Sequence, residues 1–104
     1  MPEVRIDISL FTMDAAFGMI SGDLHLPVVP QVGDQLSLRI TRPVKAFCGK
    51  LPFGGMLRVT NRMISEDGVI VILEDLTAAT PEDAQSIMAM LEENHRLLSD
   101  VWEP

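Results

Sequence analysis

The sequence predicts an α+β domain in which about five mostly antiparallel strands form a curved sheet or small open barrel, with one C-terminal helix packed on it. Three observations favour this fold class. Apolar and polar residues alternate through much of residues 3–76, which is the period of a strand with one buried face. Short turns containing Gly and Pro separate the alternating segments. Apolar residues from about 81 to about 100 instead recur with the spacing of an amphipathic helix.

The first three strands are predicted from this alternation. Their apolar positions are Val4, Ile6, Ile8 and Leu10 in the first strand, Ile20, Gly22, Leu24 and Leu26 in the second, and Leu36, Leu38 and Ile40 in the third. Pro27 ends the second strand because proline cannot donate a hydrogen bond to a neighbouring strand. Gly33 lies in the turn that leads into the third strand. Each of these strands is expected to bury one face.

Two further strands are predicted to form a hairpin. Leu57, Val59 and Met63 indicate the buried positions of the first of them. The turn that follows ends at Gly68, since glycine accepts the positive φ that a tight hairpin requires. The second strand, residues 69–73, consists only of aliphatic residues and is therefore expected at the centre of the sheet.

The C-terminal helix is predicted to begin after Thr80, an N-cap residue followed by Pro81 at the first helical position. Its apolar stripe contains Ala84, Ile87, Met88, Leu91, His95, Leu98 and Trp102. Three more apolar residues, Met90, Leu97 and Val101, widen the stripe to about half of the circumference. Either a dimer partner or the long loop within the chain is expected to cover this extra width.

Length and composition predict one domain spanning residues 1–104, with a β-rich part at 3–76 and the helix at about 81–100. The N-terminus has no signal-peptide pattern, and the longest purely aliphatic stretch, residues 69–73, is too short to span a membrane. One cysteine cannot form an internal disulfide. We therefore expect a cytoplasmic protein without membrane contact.

No catalytic, cofactor or metal site is predicted, and the protein is expected not to be an enzyme. Nothing in the spacing brings His25 or His95 to Cys48, as a nucleophilic dyad would require. The same three residues lack the short ligand spacing of zinc sites. Lys50 follows a glycine but is not followed by Ser or Thr, so the phosphate-loop motif fails. A small-ligand-binding or cysteine-dependent enzyme is kept as the lower alternative.

The net charge of −7 is unevenly distributed along the chain. Residues 1–38 carry −4 and residues 63–104 carry −9, whereas residues 39–62 contain six basic residues and no acidic one, which gives +6. The basic residues are Arg39, Arg42, Lys45, Lys50, Arg58 and Arg62. Together with nearby aromatic residues they allow an alternative function, single-stranded nucleic-acid binding, which the acidic remainder of the chain opposes.

The segment 43–56 has no clear period and is long for a connection in a small domain, so it is either functional or contains an element that periodicity does not show. It is apolar and basic in an acidic protein, which favours a contact surface. We expect an interaction or assembly domain, homodimeric, that acts through this segment and the C-terminal helix. The predicted partner contacts are Phe47, Leu51, Phe53, Met56, Met90, Leu97 and Val101.

Overall fold

The structure is a computed structural model that describes residues 3–42 and 44–101. Pro43 of the segment 43–56 and Trp102 of the helical stripe lie outside the described residues. The described part forms one helix and nine strands. In chain order the elements are β1 (Glu3–Thr12), β2 (Ala16–His25), β3 (Gln35–Ser37), β4 (Ala46–Cys48), β5 (Leu51–Pro52), β6 (Met56–Ser65), β7 (Gly68–Leu73), β8 (Leu76–Ala78), α1 (Pro81–His95) and β9 (Leu98–Val101).

The strand β1 is the centre of one curled sheet. From Glu3 to Phe11 it pairs antiparallel with β2, and its other edge pairs in parallel with β7 near its start and with β8 near its end. The sheet continues from β7 to β6 and β3 on one side, from β8 to β4 and β5 on the other, and from β2 to β9. Six of the eight strand pairings are antiparallel, so the α+β class with a curved, mostly antiparallel sheet is confirmed.

The predicted number of about five strands is wrong, because four short strands carry too few residues for a visible period. The segment 43–56 contains two of them, β4 and β5, which form a small hairpin. A third, β8, follows β7 after a short break at residues 74–75. The fourth, β9, lies where the helix was expected to continue. Strand β7 lies between β6 and β1, which agrees with the central position predicted for it.

The helix begins as predicted and ends earlier. The side chain of Thr80 accepts a hydrogen bond from the backbone N–H of Asp83, and Pro81 is the first helical residue. The helix ends at His95 because Arg96 adopts a left-handed conformation, with φ of 55°, and its N–H bonds back to the carbonyl of Glu92. Within the described residues, no helix has both the length and the apolar character that crossing a membrane requires.

The core lies between the inner face of the sheet and α1. Its members include Ile6, Ile8 and Leu10 of β1, none of them accessible to solvent, and Ile87 and Leu91 of the helix, which are equally buried. The helix contacts β1, β2, β8 and β9. Burial of this many aliphatic side chains is the main favourable term in the stability of a domain of this size.

A strap formed by residues 39–42 covers one side of the helix. His95 Nε2 lies 2.9 Å from the carbonyl oxygen of Arg39, Asn94 donates to the Thr41 hydroxyl at 3.2 Å, and Arg42 reaches Ser86 and Glu93. Ser86, Glu93 and Asn94 lie on the same helical stripe as Met90, which is completely buried. Met90, one of the residues that widen the apolar face of the helix, is therefore covered by other residues of the same chain.

Candidate functional site

An open groove lies on the outer face of the sheet, where the β1–β2 turn comes close to the β4–β5 hairpin. Successive strand pairings place one row of side chains across five strands: Ala16, Phe11, Thr77, Phe47 and Pro52. Directly paired residues point to the same side of a sheet, and their chain neighbours Leu10, Leu76 and Ala46 point into the core. The row therefore faces outward, and its members other than Pro52 line a groove of about 850 Å³.

The groove combines apolar side chains with two carboxylates. Phe11 and Phe47 belong to its lining, and Met13 in the β1–β2 turn is 71% exposed. The carboxylates are those of Asp14, in the same turn, and Asp75, between β7 and β8. Neither carboxylate forms an ion pair with the residues that the structure describes. Such a surface suits an occupant with both apolar and cationic groups.

The hairpin that forms one wall of the groove projects from the core. Ala46 and Phe53 hold its base, since both are buried and Phe53 donates its N–H to the Ala46 carbonyl at 2.8 Å. Its turn consists of Gly49 and Lys50, and Gly49 has φ of 63°, which fits the first position of a type II′ turn. The turn therefore holds Lys50 at the tip, directly before the exposed Leu51.

The two faces of the hairpin differ because alternate residues point to opposite sides. Phe47 faces the groove, whereas Cys48 and Leu51, which pair with each other, face the opposite side. There they line a second concavity of about 490 Å³ together with Met56 and Glu74. Leu51 is 72% exposed. Both faces of the hairpin thus present apolar side chains to solvent.

No protein-family model matches the chain, and comparison with curated proteins and with solved structures found no match.

The seven predicted partner contacts fall into two groups. Phe47, Leu51, Met56 and Val101 are exposed. Phe53, Met90 and Leu97 are at most 5% exposed and belong to the interior. The prediction of these three as contact residues is corrected, because side chains already covered by their own chain cannot contact a partner in the folded protein. Val101 lies on β9, which pairs with the edge of β2 that faces away from β1, and it is not among the residues that line the groove.

The predicted basic residues are spread over three parts of the surface. Arg39 and Arg42 belong to the strap beside the helix, and Lys45 and Lys50 flank β4 in the hairpin segment. Arg58 and Arg62 both lie on β6, where sequence spacing puts them on one face. Thr60 is a bulge between them, so Arg62 lies opposite buried Val71 while Arg58 points to the other side. The Arg62 side chain also donates to the Pro30 carbonyl at 3.4 Å.

The residues considered for catalysis or metal binding lie apart from one another. The pKa of the Cys48 thiol is raised to about 11 by burial and, to a lesser extent, by the charge of Glu74, so the thiol is protonated at neutral pH. His25 pairs with Glu3 at 3.3 Å on the exposed side of β1 and β2, whereas His95 contacts the strap. Among residues 3–42 and 44–101, no three His, Cys, Asp or Glu residues cluster as a metal site.

Sequence reasoning missed Phe11, Met13, Asp14 and Asp75. The sequence did contain a signal for Phe11. By the alternation of β1, Phe11 lies on the same face as Arg5, Asp7 and Ser9, which are all polar. An aromatic residue on an otherwise polar face indicates an outward apolar contact. No local signal could pair Phe11 with Phe47, since the two are joined only through Thr77 of β8.

Proposed function

We propose that this protein is a non-enzymatic interaction domain that forms homodimers through the groove and the β4–β5 hairpin beside it. The observation that carries the proposal is the projecting hairpin with exposed apolar residues on both faces, Phe47 and Leu51. A small hairpin gains little stability from side chains left in water, whereas the same side chains become favourable when a partner covers them. Met13 extends the apolar surface across the groove.

Self-association is supported by general properties of protein assemblies. Most soluble oligomers are symmetric homo-oligomers, and two-fold dimers are the commonest of them. Such interfaces typically have apolar and aromatic side chains at their centre and polar residues around them, and the groove combines both kinds of residue. The raised pKa of Cys48 disfavours the thiolate that a cysteine nucleophile needs. The scattered basic residues favour an assembly role over a continuous nucleic-acid surface.

The proposal is tested by measuring the mass of the protein in solution by sedimentation over a range of concentrations. Wild-type protein is expected to form dimers at tens of micromolar or below. Leu51→Ser is expected to raise the dimer dissociation constant at least about tenfold, because in a two-fold dimer each substitution removes two apolar contacts. Phe47→Ser should have an effect in the same direction.

Ile64→Ser is the matched control. Ile64 is 74% exposed, close to the 72% of Leu51, and lies on β6 outside the groove lining. At protein concentrations low enough for wild type and variants all to be monomeric, both variants should unfold at nearly the wild-type temperature, since surface substitutions change stability by about 0.5 kcal/mol or less. A monomeric wild-type protein would contradict the proposal. So would a dimer that Ile64→Ser dissociates and Leu51→Ser leaves intact.

A further inference from the structure

We infer that the occupant of the groove is the β4–β5 hairpin of a second copy of this chain, and that Lys50 at its tip pairs with Asp14 and Asp75 of the groove it enters. This inference rests on the proposed self-association and specifies which segments meet. It assigns these three charged residues to a reciprocal contact that determines how the two copies align.

The charges of the groove define what its occupant must carry. Asp14 and Asp75 are exposed and have no ion pair within the described residues. An apolar occupant alone would remove water from both carboxylates and leave them without a compensating charge, which is costly. The occupant must therefore place a cation beside its apolar groups.

The hairpin of this same chain carries that combination. Lys50 is exposed at the tip, also without an ion pair among the residues described, and is followed by Leu51. The two-residue turn keeps the hairpin narrow, and its base is anchored in the core by Ala46 and Phe53. A lysine beside a leucine on a preformed hairpin matches a groove that combines apolar side chains with two carboxylates. Because the hairpin is already ordered, docking costs little conformational entropy.

The position of the hairpin beside the groove allows a closed two-fold contact. The groove lies between its own hairpin, at Phe47 and Gly49, and the β1–β2 turn, at Met13 and Asp14. A second hairpin in this space turns its Phe47 towards the first hairpin and its Leu51 towards Met13. The two-fold axis then passes between the hairpins, so both grooves are filled at once and association stops at the dimer.

A charge-exchange experiment tests the pairing. One variant is Lys50→Glu, and the other carries Asp14→Lys and Asp75→Lys together. Each variant alone brings like charges together at both symmetric contacts, so its dimer dissociation constant should rise at least about tenfold at low salt. In an equimolar mixture, every contact of the heterodimer again joins opposite charges. Native mass spectrometry should therefore show mainly heterodimer, with an affinity near that of the wild type.

Arg39→Glu is the control for net charge, because it changes the charge of the chain as much as Lys50→Glu does and lies in the strap, outside both the hairpin and the groove lining. Its dimer should remain within about threefold of the wild type, as expected for a charge outside the contact. Restoration by mixing also shows that both partners are folded.

The two proposals fail in distinguishable ways. If the wild-type protein is monomeric, the proposed self-association and this inference are both overturned. If it is dimeric and Leu51→Ser dissociates it, but the exchanged charges neither weaken the separate variants nor favour the heterodimer, only the reciprocal hairpin contact is overturned. The interface would then use the same apolar residues with a different alignment.

Discussion

Replacing Gly18 by alanine should be one of the most damaging small changes in this protein. Gly18 lies on β2 opposite Val101 of β9, and it is buried beneath the helix. A Cβ at this position would overlap the carbonyl oxygen of Asp100 and lie 2.7 Å from the terminal methyl carbon of Met88. The methionine end can move, but the Asp100 carbonyl belongs to the backbone of β9 and moves only if that strand shifts.

The expected cost follows from this overlap. Forcing extra atoms into a packed site costs about 1–3 kcal/mol. For a domain of about 100 residues, this loss of unfolding free energy lowers the melting temperature by roughly 5–20 °C. Chemical and thermal denaturation followed by circular dichroism measure both quantities. Hydrogen exchange should also show weaker protection in β9, because its pairing with β2 is what the new methyl group displaces.

Gly54→Ala provides a control with the same chemical change. A Cβ at Gly54 would have no atom within 4 Å, and Gly54 does not require a positive φ. The control should therefore unfold within about 1 kcal/mol of the wild type, with a small gain expected from the lower entropy of the unfolded chain. If the two alanine variants have the same unfolding free energy, the close approach of β9 to β2 and the reasoning from it are refuted.

Two further predictions concern the interior and the cysteine. Met90→Ala should lower the unfolding free energy by about 2–5 kcal/mol, because Met90 is fully buried. Leu51→Ala should change the unfolding free energy of the monomer by about 0.5 kcal/mol or less, because Leu51 is exposed. Equal losses in urea denaturation at concentrations where the protein is monomeric would contradict this assignment. Cys48 should react with an aromatic disulfide about tenfold more slowly than an unperturbed thiol at pH 7. Its raised pKa lowers the fraction of thiolate about 100-fold. A thiolate of higher pKa is also more nucleophilic, by about tenfold here, so the net decrease in rate is about tenfold. Its rate should continue to rise up to about pH 11, and a plateau near pH 9 would show that the pKa is not raised.

The long strands and the start of the helix could be predicted because their signals are local. Residues 4–10 alternate in a single register, and Thr80 with Pro81 marks a helix start whatever the helix packs against. The short strands could not be predicted in this way. Strand β9 has only four residues, and the apolar period of the preceding helix continues into it, so the sequence pattern assigns Leu98 to the helix. In the structure the helix has already ended, because Arg96 adopts a left-handed conformation. Strand β5 has only two residues and no period at all.

The candidate site was predictable in part for the same reason. The segment 43–56 could be recognised as unusual from its composition, and Phe47 and Leu51 are exposed on the hairpin that it forms. The other wall of the groove was missed because Met13 and Asp14 lie far from this segment in the chain. They reach it only because β8 joins β1 to β4.

The order of residues along the chain is sufficient to specify the α+β class, the alternating faces of the long strands and the cap of the helix, because each depends on neighbours within a few positions. It does not specify that β1 shares one edge between β7 and β8, that the strap 39–42 bonds to the helix, or that Phe11 and Phe47 line one groove. Those features depend on which distant segments meet. Many pairings of short apolar segments are locally equivalent, and packing of the whole core selects one of them.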